Sequence, residues 1–116
     1  QLSLLSGDDV TALPLWAVGG RGLVSVTSNL IPGRMSALWR AFAAGDLETA
    51  QRMHLELAPL FNAMFLQTNP VPVKALVAAN SGLCGAEVRL PLTGLTEETR
   101  GRLNTICAGL DIELSG

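Results

Sequence analysis

Hydrophobic positions change their spacing once along this chain. Residues 2–5 form a short apolar run that stops at Ser6-Gly7-Asp8-Asp9, a cluster of turn and N-cap residues. A helical segment then runs to Val18, and Pro14 is tolerable there only if the helix begins near Thr11, because a deeper proline removes a backbone bond and clashes with the preceding turn. Gly19-Gly20-Arg21-Gly22 breaks that helix, and residues 23–27, Leu-Val-Ser-Val-Thr, have the β-branched content of a second strand. The order strand, helix, strand is the building block of a parallel sheet, whose faces must be covered on both sides.

From Pro32 onward the spacing is helical. Pro32 suits a first helical position, Met35, Leu38, Trp39 and Phe42 share one face, and Gly45 ends the helix. Asp46 is placed to cap a longer helix whose apolar positions are Ala50, Met53, Leu57, Leu60, Phe61 and Met64, with a kink expected at Pro59. Asn69-Pro70-Val71-Pro72 reads as an extended connector, since a residue before proline is pushed out of helical geometry. A short helix over 73–80 follows, closed by Ser81-Gly82, and residues 83–94 read as irregular. Thr96 caps a last helix, with Glu97 and Glu98 at its positive end and Leu103, Ile106, Cys107 and Leu110 on one face. The predicted division is residues 1–45, two β/α units, and residues 46–116, three helices.

Composition narrows the function classes. A net charge of −2 over 116 residues gives no clustered Lys/Arg surface for neutralising phosphates, so a nucleic-acid binder is not expected. No apolar run approaches the roughly 20 residues that span a bilayer, and no signal peptide is read, so a cytoplasmic protein is the default expectation. The chain opens on Gln1, which points to a natural beginning further upstream. Cys84 and Cys107 lack CxxC spacing and a nearby histidine, and read as reduced small hydrophobes. No cofactor or metal site is expected.

Ordered stretches carry a resemblance. Leu5-Ser6-Gly7-Asp8-Asp9, then Gly19-Gly20-Arg21-Gly22-Leu23-Val24-Ser25-Val26-Thr27-Ser28-Asn29, then Asn69-Pro70-Val71-Pro72-Val73-Lys74, with Arg89-Leu90-Pro91-Leu92 and the capped helix after it, resemble the carboxyl-terminal part of the dihydrodipicolinate synthase family. The resemblance covers nearly the whole chain. It implies an α/β fold: the last two β/α units of a TIM (β/α)8 barrel, with residues 2–5 on strand seven and 23–27 on strand eight, followed by a three-helix carboxyl-terminal domain.

By the same resemblance the parent is a class I aldolase, in which a lysine forms a Schiff base with pyruvate and the enamine attacks aspartate semialdehyde. The nucleophilic lysine, the proton-relaying tyrosine and the arginine that reads the second substrate are expected upstream of Gln1. This chain has no tyrosine. Its one lysine, Lys74, aligns with a different family position, so the segment alone is expected to be inactive. The resemblance implies that the Val24 carbonyl contacts bound pyruvate, that Gly7, Asp8 and Asp9 lie at the substrate site, that Asn69 reaches toward the same pocket, and that the parent is a homotetramer. A related pyruvate aldolase such as sialic acid lyase remains open, because the residues separating the two lie upstream.

Each of these features also has a plainer reading. Asp8 and Asp9 suit capping or loop geometry better than a metal or acid/base pair. Gly19 to Gly22 precedes a strand and lacks the Lys-Ser/Thr ending of a phosphate loop, which favours a tight turn. His54 has no acidic or histidine partner at ligand spacing and reads as structural or solvent-facing. Lys74 reads as solvated or as fixing the connector to the barrel. Met53, Phe61, Met64 and Phe65 read as ordinary helix packing. The competing function is a non-catalytic helical interaction module, a truncated remnant whose exposed apolar faces bind a partner or drive self-association.

Overall fold

The computed structural model describes residues 2–114. The chain divides into two compact units, Gln1–Phe61 and Asn62–Gly116. That division falls inside a helix, later than the change of sequence pattern at 45/46.

In the first unit, β1 (Leu5–Ser6) and β2 (Gly22–Leu23) pair in parallel, Leu5 opposite Gly22 and Ser6 opposite Leu23. The flanking bonds Arg21 N–H to Leu4 O and Val24 N–H to Ser6 O are both 2.8 Å. Between the strands runs α1 (Ala12–Ala17), the crossover that a parallel pair requires. Both strands are shorter than the apolar runs predict. A strand lasts only while a neighbour takes its backbone groups, and Leu2 and Leu4, which are exposed, lie ahead of the paired residues. The second run departs from strand geometry because Thr27–Asn29 folds into a 3₁₀ turn.

The Gly19-Gly20 turn has two separate requirements. Gly19 has φ +104°, and a Cβ on Gly20 would lie 2.8 Å from the Leu15 carbonyl oxygen, which accepts the Gly20 N–H at 2.8 Å. This is the tight turn the sequence favours. Trp16, 3% exposed, donates from Nε1 to the Gly22 carbonyl at 3.0 Å and meets Trp39 edge to face with ring centroids 4.9 Å apart.

Trp39 lies on α2 (Pro32–Ala43), which begins with proline in its first turn and buries Met35 and Leu38. Gly45, at φ +80°, ends it in a Schellman arrangement: Gly45 N–H to Phe42 O and Asp46 N–H to Ala41 O, each 3.0 Å. Asp46 then caps α3 (Leu47–Ala63), its Oδ1 accepting the Thr49 N–H at 3.1 Å. The Thr49 side chain and N–H hold the exposed Asp46 carboxyl below the ordinary value. Ala50, His54, Leu57 and Phe61 form the buried stripe, so His54 takes a core position instead of a solvent-facing one, while Met53 is only half-buried. Pro59 does not end α3, which continues through it to Ala63. The proline ring sits on the exposed side of the helix.

The second unit contains α4 (Val71–Ser81) and α5 (Glu97–Gly109). Contrary to the sequence expectation, Val71 and Pro72 are helical: Pro72 occupies the first turn, where no backbone N–H is required. The expected extended connector is instead a turn at Asn69-Pro70, closed by the Val71 N–H on Thr68 O at 3.0 Å, with a cis Asn69–Pro70 bond. Gly82 closes α4 in a left-handed conformation at φ +65°. Residues 83–94 are irregular, as expected. Thr96 caps α5 through Oγ1, which accepts the Thr99 N–H at 3.2 Å, and Leu103, Cys107 and Leu110 are buried. Ile106 is only half-buried. No described helix is long and apolar enough to cross a membrane.

Candidate functional site

The carboxyl ends of parallel strands are where α/β folds place their ligand-binding groups, because the loops there are free of the ladder. In the first unit those ends are the loop after Ser6 and the bend after Leu23. Gly7 is exposed, and a Cβ there would meet no atom of the chain within 4 Å, so the space beside it is open. Val24 immediately follows the paired residues. Its N–H is used by Ser6 O, and its side chain is 66% exposed. What remains for a ligand at Val24 is the main-chain carbonyl.

A compact polar network holds the loop. Ser6, 3% exposed, donates from Oγ to the Asp8 carbonyl at 2.7 Å and lies 2.9 Å from Thr11 Oγ1. Asp8 is half-buried, and its Oδ1 accepts the Val10 N–H at 3.2 Å, a local turn. Thr11 precedes α1 without capping it through its side chain.

Asp9 behaves differently. It is 1% exposed, its Oδ2 accepts the Thr27 N–H at 2.9 Å, and its Oδ1 accepts the Ser25 hydroxyl proton. Ser25 Oγ in turn accepts the Ser28 N–H at 2.8 Å. Asp9, expected at the substrate site, thus has both carboxylate oxygens engaged inside the fold. Ser25, Thr27 and Ser28 complete the network without standing out in the sequence, where a cluster of hydroxyl residues after an apolar strand is their one signal. Thr27 Oγ1 is buried with no hydrogen-bond partner among the described residues.

The other expected residues lie apart from this loop in sequence. Asn69 is exposed on the turn before α4 in the second unit. Lys74 is half-buried, and its Nζ donates to the Glu87 carbonyl, so it ties α4 to the irregular segment of its own unit. His54 carries a neutral-favouring environment: burial lowers its pKa, and a weaker main-chain contact with Val10 opposes that. Cys107 is buried, with its thiol pKa pushed up by desolvation, whereas Cys84 is exposed and does not act as a core hydrophobe. Among the described residues no three His, Cys, Asp or Glu side chains group as metal ligands. A cavity of about 450 Å³ between α1, β2 and α2, lined by Trp16, Arg21, Leu23, Met35 and Trp39, includes none of the expected site residues.

Comparison with known proteins places these features in a family. The model of the dihydrodipicolinate synthetase family matches residues 1–109. The chain is 53% identical over 112 residues to a 4-hydroxy-tetrahydrodipicolinate synthase of Nitratidesulfovibrio vulgaris (strain DP4), which covers 97% of this chain and 38% of that protein. It is 50% identical over 106 residues to the enzyme of the same name from Geobacter sp. (strain M21), covering 91% of this chain and 36% of the relative. The crystal structure of dihydrodipicolinate synthase from Aquifex aeolicus superposes with a TM-score of 0.93 at 37% identity, over 99% of this chain and 39% of that one. The chain thus spans a little over a third of the length of the relatives it matches. On the family match and the identities together, the chain belongs to the dihydrodipicolinate synthetase family.

Proposed function

We propose that this chain is the carboxyl-terminal segment of a 4-hydroxy-tetrahydrodipicolinate synthase, a lyase of the class I aldolase type acting in lysine biosynthesis. The reaction condenses pyruvate, held as a lysine Schiff base, with aspartate semialdehyde. The observation that carries the reading is the parallel β1–α1–β2 unit that leaves the Val24 carbonyl and the open face of Gly7 just past the last paired residues, in a chain 53% identical to an enzyme of that name.

In this reading β1 and β2 are the last two strands of a (β/α)8 barrel, and α3, α4 and α5 form the added domain. The Schiff-base lysine, the relay tyrosine and the arginine for the second carboxylate come from the part preceding Gln1. A Schiff-base lysine must be desolvated or paired with another cation to attack as a neutral amine. Lys74 instead donates to a carbonyl and has no such role. The segment supplies one wall of the site: Val24 offers a fixed acceptor to pyruvate, and Gly7 leaves room for the second substrate. Asp8 and Asp9 shape the loop between them. The full enzyme is a homotetramer of the cytoplasm, and the segment alone is inactive.

The full-length protein decides between this reading and its alternatives. Incubated with pyruvate and aspartate semialdehyde, it is expected to consume both in equal amounts. Cleavage of sialic acid to pyruvate without that condensation would assign it to the sialic acid lyase branch. A reading frame that starts at Gln1 and yields no pyruvate chemistry would leave the interaction module.

A further inference from the structure

We propose that Asp9 is a positioning residue: its buried carboxylate aims the Val24 main-chain carbonyl and so sets how pyruvate is held. The inference rests on the proposed contact between that carbonyl and pyruvate. What it adds is the reason the carbonyl has one direction.

A peptide unit is planar, so the direction of its carbonyl is fixed once the two Cα atoms it joins are held and their flanking rotations are restrained. The unit in question joins Val24 to Ser25. On its upstream side the Val24 N–H is bound to Ser6 O at 2.8 Å, the last bond of the parallel ladder. On its downstream side Ser25 is held through its hydroxyl, which donates to Asp9 Oδ1 while accepting the Ser28 N–H at 2.8 Å. The second Asp9 oxygen takes the Thr27 N–H at 2.9 Å and fixes the start of the 3₁₀ turn. The ladder holds one end of the unit and Asp9 the other.

Asp9 does this from across the sequence, linking Ser25 and Thr27 to the loop after β1. Asp8 spends its Oδ1 on the Val10 N–H two residues on, a bond that shapes only its own loop. Beyond the Val24 N–H the ladder ends, and the other contacts on Ser25 come from Ser28 of the same turn, whose N–H meets the Ser25 hydroxyl at 2.8 Å and whose hydroxyl donates to the Ser25 carbonyl at 3.2 Å, so Asp9 is what anchors that turn to the loop after β1. A carboxylate suits the position because it accepts two protons' worth of hydrogen bonding at once. Asparagine keeps one acceptor for Thr27 but puts an N–H₂ donor where the Ser25 hydroxyl now finds its acceptor, so the Ser25 O–H must turn elsewhere. Because Asp9 is 1% exposed, it acts through Ser25 and Thr27 and not by touching the ligand.

The test uses Asp9→Asn and Ser25→Ala in the full-length protein, with KM measured separately for pyruvate and for aspartate semialdehyde. Losing one aligned acceptor is expected to raise the pyruvate KM about tenfold in Asp9→Asn and about threefold in Ser25→Ala, with the aspartate semialdehyde KM moving less than about twofold. A residue that only stabilises the fold would reduce the amount of active protein, and with it the apparent kcat, while leaving both KM values in place; that result overturns the proposal. Should Asp9→Asn not fold, Ser25→Ala carries the same comparison. Borohydride trapping of pyruvate on the unmodified protein separates the two levels. A trapped adduct with unchanged pyruvate KM in both variants removes the positioning role alone, whereas no adduct at all removes the proposed function and this inference with it.

Discussion

Asp9 Oδ2 accepts the main-chain N–H of Thr27 at 2.9 Å across eighteen residues of chain. With the Ser25 hydroxyl on the other oxygen, this one carboxylate ties the loop after β1 to the turn after β2. Replacing it with alanine leaves the buried Thr27 N–H and the half-buried Ser25 hydroxyl without acceptors, at a cost on the order of 3 kcal/mol. Denaturant unfolding of Asp9→Ala in the full-length protein should show a midpoint lowered accordingly, and faster hydrogen exchange at the Thr27 amide. An unchanged midpoint would mean that water replaces the carboxylate at little cost.

Trp16 is the corresponding link between α1 and β2, through its Nε1–H on the Gly22 carbonyl at 3.0 Å. Trp16→Phe keeps most of the ring packing against Trp39 but loses the donor, so it should cost about 1 kcal/mol, whereas Trp16→Ala also opens a cavity and should cost about 3–5 kcal/mol. Equal losses in the two variants, measured by thermal unfolding, would show that packing contributes little at this position.

How much of this was legible beforehand depends on distance along the chain. The caps at Asp46 and Thr96 and the stop at Gly45 use partners within a few residues, so the local pattern discloses them. The first turn of α4 was hidden by the rule that a residue before proline avoids helical geometry, a bias that the permissive first turn overrode at Val71. Strand limits depend on which neighbours the strands have, which no periodicity encodes, and so both came out shorter. Asp9 was legible as a loop carboxylate. Its partners were not, because Ser25 and Thr27 lie sixteen and eighteen residues further on and resemble ordinary strand positions.

The buried imidazole of His54 gives a pH dependence with a definite sign. Desolvation lowers its pKa below the ordinary 6.5, so the unfolded chain binds the proton more readily than the folded one. The stability that neutral His54 contributes is complete above about 6.5 and is lost as the pH falls below that value toward the folded pKa. Unfolding free energy measured from pH 7.5 to 5 should therefore fall more steeply in the unmodified protein than in His54→Gln. A steeper fall in the variant would contradict the sign.

Cys84 and Cys107 should separate cleanly under alkylation. Cys84 is exposed, while Cys107 is fully buried with its thiol pKa raised by desolvation. Iodoacetamide treatment of the native protein near pH 8, read by peptide mass mapping, should label Cys84 and spare Cys107, with both labelled in denaturant. Comparable native labelling would mean that the α5 core opens readily.

The claim that this chain forms a wall of the site and lacks its nucleophile is tested most directly by mass measurement after incubation with pyruvate and borohydride. No adduct is expected on the chain of 116 residues, and in the full-length protein a single pyruvate adduct is expected on a lysine preceding Gln1. A stable adduct on Lys74 would contradict that claim.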